Sequence, residues 1–525
     1  MAQGPGWAWV RIPMATWSGL SAAGLAPSPA AHDPAPIIPA MSVRHLLAGA
    51  VWLLACTAFA QIPAPVATEL ARAQVPTDAV ALLVTEVGSG TAPRLGHRSA
   101  SPMQAASVMK LVTTFAALDT LGPAFTWATP VYLDGTRQAA AAPAKPGKKG
   151  RSDDGVFQGD VYIQGQGDPK LVAERLWLLL RSLQGLGIVQ ISGDIVIDRS
   201  AFDLPPADPA RFDGEPLRPY NAAPDAFLVN YGALAFTFTP DPATGVARIQ
   251  TDLPLAGVHI PAQVALSTAP CTDYRSALAA DFSDPLHPRF TGRYPSACGE
   301  RVWSVAFADP AHFAARAVRG MWTSLGGQLG GTVRYGNTPA AVLERGPAFV
   351  LRSPSLAEVV RDINKFSNNV MAQQLYLTLG RNGSGSDAPG LASFAASHAA
   401  VQSWWNQRFG AADAPLLENG SGLSRQETIS AIALGQLLQA AYASPYMPEL
   451  MASLPIAGLD GTLRRSQATA MAHLKTGSLS NVLAIGGYVL ARSGKRYVVV
   501  ALVNHANAAA TRSALDALLD WAAND

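Results

Sequence analysis

The sequence predicts a mixed α and β protein, a sheet flanked by helices, with a strand-rich stretch lying between its two parts. Three features carry that prediction. The run Leu111-Val112-Thr113-Thr114-Phe115-Ala116-Ala117-Leu118 is apolar on nearly every side, so it reads as a buried central helix. Toward the other end, Leu474 to Gly477 is strand-like, and Val482 to Arg492 with Lys495 to Val503 reads as a hairpin turning at Ser493-Gly494. Between them, from about Trp127 to Pro339, helical periodicity gives way to alternating strands.

A chain of 525 residues exceeds one small domain. It is 49% hydrophobic and 14% charged, with a net charge of +2, the balance of a globular protein and not of one that binds nucleic acid or another polyanion. Residues 1–40 are rich in Pro, Ala, Gly and Trp without sustained period and read as an upstream extension. Met41 opens a better-formed segment: Arg44 and His45, an apolar run from Leu46 to Ala55, and Ala58-Phe59-Ala60 before Gln61. Its apolar core is too short to span a membrane, so Met41–Ala60 is expected to be a cleavable signal peptide. Cys56 after Leu54-Ala55 loosely resembles a lipoprotein attachment site, but the cut after Ala60 fits better. Removing the signal leaves Cys271 and Cys298, and an even pair in an exported chain reads as one disulfide rather than two buried thiols.

In chain order, Val80 to Val84 is a short strand of the core sheet, placed before the Ser107 helix, and Val131 to Leu133 is a second strand. Gln138 to Asp154 is an Ala/Pro/Gly/Lys insertion whose basic residues (Lys145, Lys148, Lys149, Arg151) read as a solvated loop rather than a contact for anionic wall polymers. A strand over Val156 to Gln164, the turn Gly165-Gln166-Gly167-Asp168-Pro169, a helix over Lys170 to Leu186 and a strand over Ile191 to Asp198 follow. Gly165-x-Gly167 does not read as a nucleotide loop, since it lacks the third glycine and a β-α-β context. Ala233 to Thr239 reads as a strand and Ala311 to Leu325 as a helix. Leu356, Val359, Val360, Ile363 and Phe366 recur at helical spacing, and Val370 to Leu379 continues as a second helix. Glu418 to Arg425 is a turn-rich loop entering a helix near Ile429, and Ala509 to Ala522 is a last amphipathic helix over the sheet.

Three short motifs carry the chemistry. Ser107 and Lys110 lie one helical turn apart, with the hydroxyl near the positive end of the helix dipole. A serine hydroxyl is a weak nucleophile until a base stands beside it, and a lysine serves when burial and a neighbouring cation lower its pKa. Of the eight lysines, only Lys110 has a serine three positions upstream. Alone the pair also fits a capping serine and a surface lysine. Ser367-Asn368-Asn369 sits at the junction of two helices, where side chains can point into a cleft or simply cap. Lys475-Thr476-Gly477 lies on a strand. Ser-x-x-Lys, Ser-x-Asn and Lys-Thr-Gly in this order form a signature of penicillin-binding proteins and class A β-lactamases, far more specific together than singly.

The chain resembles the D-alanyl-D-alanine carboxypeptidases/endopeptidases of the penicillin-binding protein 4 type, the class C low-molecular-mass group of serine peptidases. The resemblance rests on Ser107 to Thr114, Gly165 to Pro169, Arg218-Pro-Tyr-Asn-Ala222, Phe366-Ser-Asn-Asn369, Asn419 to Arg425, Leu454 to Thr462 and His473 to Ser478, and covers roughly 65–523. It implies an α/β (α+β) fold: a penicillin-binding-protein/β-lactamase-like transpeptidase domain over 61–128 and 341–525, with an antiparallel sheet flanked by helices, and two mainly-β accessory domains inserted over 129–340. Ser107 would attack the carbonyl between two D-alanines to form an acyl-enzyme that water hydrolyses. Lys110 would be the base, Ser367 a proton relay to the leaving amine, and Asn369 an orienting group. Lys475 and Thr476, with Gly477 and Ser478 beside them, would hold the terminal carboxylate. The N–H groups of Ser107 and Ser478 would form the oxyanion hole. The substrate is then a peptidoglycan peptide, penicillins and other β-lactams are acylating mimics, and the location is the periplasm. No metal or cofactor is expected, because the histidines lack HExxH spacing and the cysteines lack CxxC spacing. Two other readings use the same residues differently: a β-lactamase or esterase on this scaffold, marked by rapid penicillin turnover, and a non-catalytic peptidoglycan-binding protein, marked by failure to label with penicillin.

Overall fold

The computed structural model describes residues 61–137, 155–382 and 390–525. The extension 1–40, the signal peptide with Cys56, and the basic insertion 138–154 lie outside the described residues. Among those described, no helix is long and apolar enough to cross a membrane.

The core is a five-stranded antiparallel sheet in the order Met471–Leu479, Val482–Leu490, Arg496–Asn504, Val80–Glu86, Leu95–His97. Its three central strands are buried on both faces, so their side chains sort by the period of two. Ala81 and Leu83 enter one apolar cluster, while Val80, Leu82 and Val84 enter another. The partner strand divides the same way, Val498, Val500 and Leu502 against Val499, Ala501 and Val503. The first cluster packs against the helices Lys110–Leu121, Leu356–Phe366, Asn369–Asn382 and Ala431–Ala443. The second lies under Ala64–Arg72 and Arg512–Ala523, the two ends of the described chain. Lys110–Leu121 is buried from Lys110 to Leu118, as its all-round apolar sequence requires.

The stretch from Ala128 to Arg352 carries a two-stranded pair, Ala280–Asp281 with Arg289–Phe290, and a seven-stranded and a five-stranded sheet that share one apolar cluster. In one, Val156–Gln164 pairs antiparallel with Ala128–Arg137, which pairs in turn with Phe349–Arg352. That last strand lies beyond the expected boundary at 340, because its partner is the strand that opens the insertion. In the other, Ala233–Asp241 pairs with Val246–Thr251 and Arg301–Ala306. Cys271 and Cys298 are joined here, sulfur to sulfur at 2.01 Å.

Several local expectations need correction. The strand expected over Ile191 to Asp198 is two pieces, Gln190–Ile191 and Ile195–Asp198, both parallel to Val156–Gln164 in one register. They break where the Asp160 carboxylate takes the Asp194 N–H and the Gly159 carbonyl takes the Gly193 N–H. The crossover between the parallel strands is the helix Ala173–Gly185, so a β-α-β unit does follow Val156–Gln164. That helix starts later than Lys170, because Val172 is extended and the Lys170 ammonium is held by Asp362. The helix expected near Ile429 begins at Ala431, since Ile429 is committed to a bridge with Met103.

Candidate active site

Ser107 lies in the 3-10 turn Ala106–Met109 that leads into Lys110–Leu121. The turn is strained at its entrance: Ala106 has φ 46°, a left-handed value that a residue with a Cβ adopts at a cost of about 1–3 kcal/mol. Two glycines allow the chain to close around it. A Cβ on Gly422 would fall 1.9 Å from the Ala106 carbonyl oxygen, and one on Gly477 would fall 2.3 Å from that of Ala105. The strand Met471–Leu479 and the loop 420–422 therefore press directly on the backbone that presents Ser107.

Lys110 Nζ lies 2.8 Å from Ser107 Oγ and 2.7 Å from Asn369 Oδ1, and donates to the Ser421 carbonyl as well. The side chain is fully buried. Burial pushes the amine well below the usual lysine range, the Lys475 ammonium pushes it further, and the Glu427 carboxylate opposes both. A neutral amine is thus accessible here, within proton-transfer distance of a hydroxyl.

Lys475, equally buried, donates to Ser367 Oγ at 2.9 Å and to the Thr476 carbonyl at 2.7 Å. Burial lowers its pKa from 10.5 to about 7. Ser367 is the left-handed C-cap of Leu356–Phe366 (φ 57°, ψ 36°), and this bend turns the chain into the next helix at Asn369. Asn369 donates its amide to the Tyr220 carbonyl at 3.2 Å, tying the Lys110 cluster to the inserted region. Thr476 pairs its hydroxyl with that of Thr462 at 2.6 Å. Met471–Leu479 is an edge strand, and the Leu474 N–H leaves that open edge to reach the Pro455 carbonyl. By the two-residue alternation, the N–H of Ser478 faces the same open side. Ser107, Ser367, Thr476, Gly477 and Ser478 line one cavity of about 760 Å³, within the range of small-ligand sites. Cys271 and Cys298 do not line it.

The sequence reading assigned no role to Glu427, which is 2% exposed. Its Oε1 accepts the N–H groups of Glu418, Asn419 and Gly420 at 2.9, 2.8 and 3.0 Å. The same short loop gives its Gly420 carbonyl to the Thr113 hydroxyl and its Ser421 carbonyl to Lys110. A carboxylate thus clamps the loop that grips the Lys110 helix. A signal was present: Ser424-Arg-Gln-Glu427 has capping-box spacing, and the Ser424 hydroxyl does take the Glu427 N–H at 3.1 Å.

Comparison with known proteins shows the family to which the chain belongs. The chain is 28% identical over 413 residues to a D-alanyl-D-alanine carboxypeptidase of Actinomadura sp. (strain R39), covering 74% of this chain and 71% of that one. It is 24% identical over 424 residues to the D-alanyl-D-alanine carboxypeptidase DacB of Haemophilus influenzae, covering 77% and 80%. In structure it superposes on penicillin binding protein 4 (dacB) from Haemophilus influenzae with a TM-score of 0.65 at 21% identity, covering 87% of this chain and 99% of that one, which makes the fold that of penicillin binding protein 4. The model of the D-Ala-D-Ala carboxypeptidase 3 (S13) family matches residues 63–525. The chain therefore belongs to the D-Ala-D-Ala carboxypeptidase 3 (S13) family and is a serine-type D-Ala-D-Ala carboxypeptidase.

Proposed function

We propose that Ser107 is the nucleophile of this carboxypeptidase and that Lys110 is the base that activates it. The observation that carries this is the buried Lys110 amine, 2.8 Å from Ser107 Oγ and held below its usual pKa by burial and by Lys475. Ser107 Oγ attacks the carbonyl between two D-alanines as Lys110 takes its proton. The oxyanion that develops is met by the N–H groups of Ser107 and Ser478, a contribution of about 3–4 kcal/mol per donor in other enzymes. The terminal carboxylate of the substrate sits against Thr476 and the Lys475 ammonium, beside Gly477 and Ser478. The proton reaches the leaving amine through Ser367, which already accepts from Lys475 at 2.9 Å. Asn369 fixes Lys110 by its carbonyl oxygen. Water then attacks the acyl-enzyme and restores Ser107.

The substrate is the peptide stem of peptidoglycan, reached in the periplasm after export by the segment Met41–Ala60. β-Lactams acylate Ser107 as mimics of the same amide; the Haemophilus protein has itself been solved complexed with a novel β-lactam. The test is to incubate the protein and its Ser107→Ala variant with muropeptides and with fluorescent penicillin. Wild type should release D-alanine and label at Ser107, and the variant should do neither while keeping its thermal unfolding. Release of D-alanine by the variant would refute the assignment.

A further inference from the structure

The cavity that Ser107 lines is also lined by three arginines. Thr462, joined to Thr476 hydroxyl to hydroxyl, lines it too, and the chain next places Arg464 and Arg465 on the cavity wall. Arg512, at the start of the helix Arg512–Ala523, lines the same cavity. All three are exposed, and among the described residues none of the guanidinium groups has a hydrogen-bond or ion-pair partner. The one carboxylate on this wall, Asp516, is committed elsewhere: it accepts from the Ser466 hydroxyl at 2.6 Å and the Gln467 N–H at 3.0 Å. Those two bonds pin the segment that follows Arg465 to the helix that carries Arg512. A terminal carboxylate is already provided for by Lys475 and Thr476, which leaves this positive wall without a use in the removal of a single D-alanine.

We infer that Arg464, Arg465 and Arg512 form a subsite for a second carboxylate on the leaving side of the scissile bond, so that the cavity favours substrates whose leaving portion extends beyond one residue and carries further negative charge. This rests on the assignment of Thr476 and Lys475 to the terminal carboxylate. Guanidinium groups suit the task, because they stay charged and meet a carboxylate through paired N–H donors. In such a site the bond cleaved and the acyl-enzyme formed are unchanged; only the leaving amine differs, being that of an acidic branched peptide in place of free D-alanine.

Two synthetic peptides test this, identical up to the scissile bond. Their leaving residues are D-lysine acylated on its side-chain amine by succinate, which adds a carboxylate, or by acetate, which does not. The measured quantity is the ratio of kcat/KM for the succinyl over the acetyl peptide. Wild type should give a ratio near ten, falling as salt rises because the cluster is exposed. In the Arg464→Gln/Arg465→Gln variant the ratio should drop toward one, and Arg512→Gln should lower it in part. Thermal unfolding checks that each variant is folded, and Arg464→Lys/Arg465→Lys, which keeps the charge, should recover part of the ratio. A wild-type ratio near one, or a ratio that the substitutions leave unchanged, would overturn the subsite. Failure of wild type to cleave either peptide would overturn the underlying assignment of the cavity, and the subsite with it.

Discussion

Substituting Gly477 by alanine tests how tightly Ser107, the proposed nucleophile, depends on its neighbours. The glycine is in a strand, where a Cβ normally costs nothing, so the reason for its absence must lie in what it faces. An added Cβ would sit 2.3 Å from the Ala105 carbonyl oxygen and 3.1 Å from the nitrogens of Ser107 and Val108. Non-bonded heavy atoms settle at roughly 3.5 Å, so the strand and the Ser107 turn must part by roughly 1 Å. Neither side is a flexible side chain that could swing away. Overpacking of this kind costs about 1–3 kcal/mol of stability. The catalytic cost is larger in proportion. The same movement carries Ser107 away from the Ser478 N–H, and a misplacement of about 1 Å is enough for a loss of about 100-fold. The assay is the second-order rate constant for acylation by fluorescent penicillin, with chemical denaturation run in parallel. Gly477→Ala should acylate about 100-fold more slowly while still unfolding cooperatively. An acylation rate within threefold of wild type would show that the close approach does not position Ser107, and the account of this glycine would fail.

Other expectations follow from the buried charges and the disulfide. Glu427→Gln keeps an oxygen for the three loop N–H groups but removes the negative charge that favours the Lys110 ammonium. The amine should then lose its proton more readily against Lys475, and the acid limb of kcat/KM against pH should move to lower pH; an upward shift would contradict this. For Lys475, the folded-state pKa of about 7 lies below the ordinary value of 10.5, so between these values the unfolded chain binds more protons and stability rises with pH. Wild type should therefore gain on Lys475→Met by up to about 3 kcal/mol from pH 7 to pH 9 in denaturant titrations. Parallel curves for the two proteins would argue against a depressed pKa. Reduction of the Cys271–Cys298 bond, whose ends lie 27 positions apart in sequence, should cost about 2–4 kcal/mol in the stretch between Ala128 and Arg352. Penicillin acylation should persist after reduction; its loss would place the bridge closer to the chemistry than the cavity lining suggests.

Much of the fold was legible because it depends on near neighbours. The apolar run after Lys110 and the recurrence of Leu356, Val359, Val360 and Ile363 define helices whose burial follows from their own periodicity. The spacing of Ser107 and Lys110 alone places hydroxyl and amine together, since one helical turn joins them. Where the reading missed, longer range was at work. The strand over Ile191 to Asp198 breaks at the Asp160 carboxylate, and the β-α-β crossover is visible only once Ile195–Asp198 is paired with Val156–Gln164. Glu427 had capping-box spacing with Ser424, yet nothing local indicates that its carboxylate would clamp the loop holding Lys110.

The sequence by itself determined which hydroxyl and amine stand together, Ser107 and Lys110, and the turn that joins them, because covalent spacing and helical geometry leave those little freedom. Tertiary structure alone decided how Lys475 reaches Ser367, how Asn369 and the Ser421 carbonyl surround Lys110, and why residues 422 and 477 must be glycine. The physical reason is that burial creates these properties. An amine loses its affinity for protons, and a backbone loses its room for a Cβ, only when distant segments are packed against it.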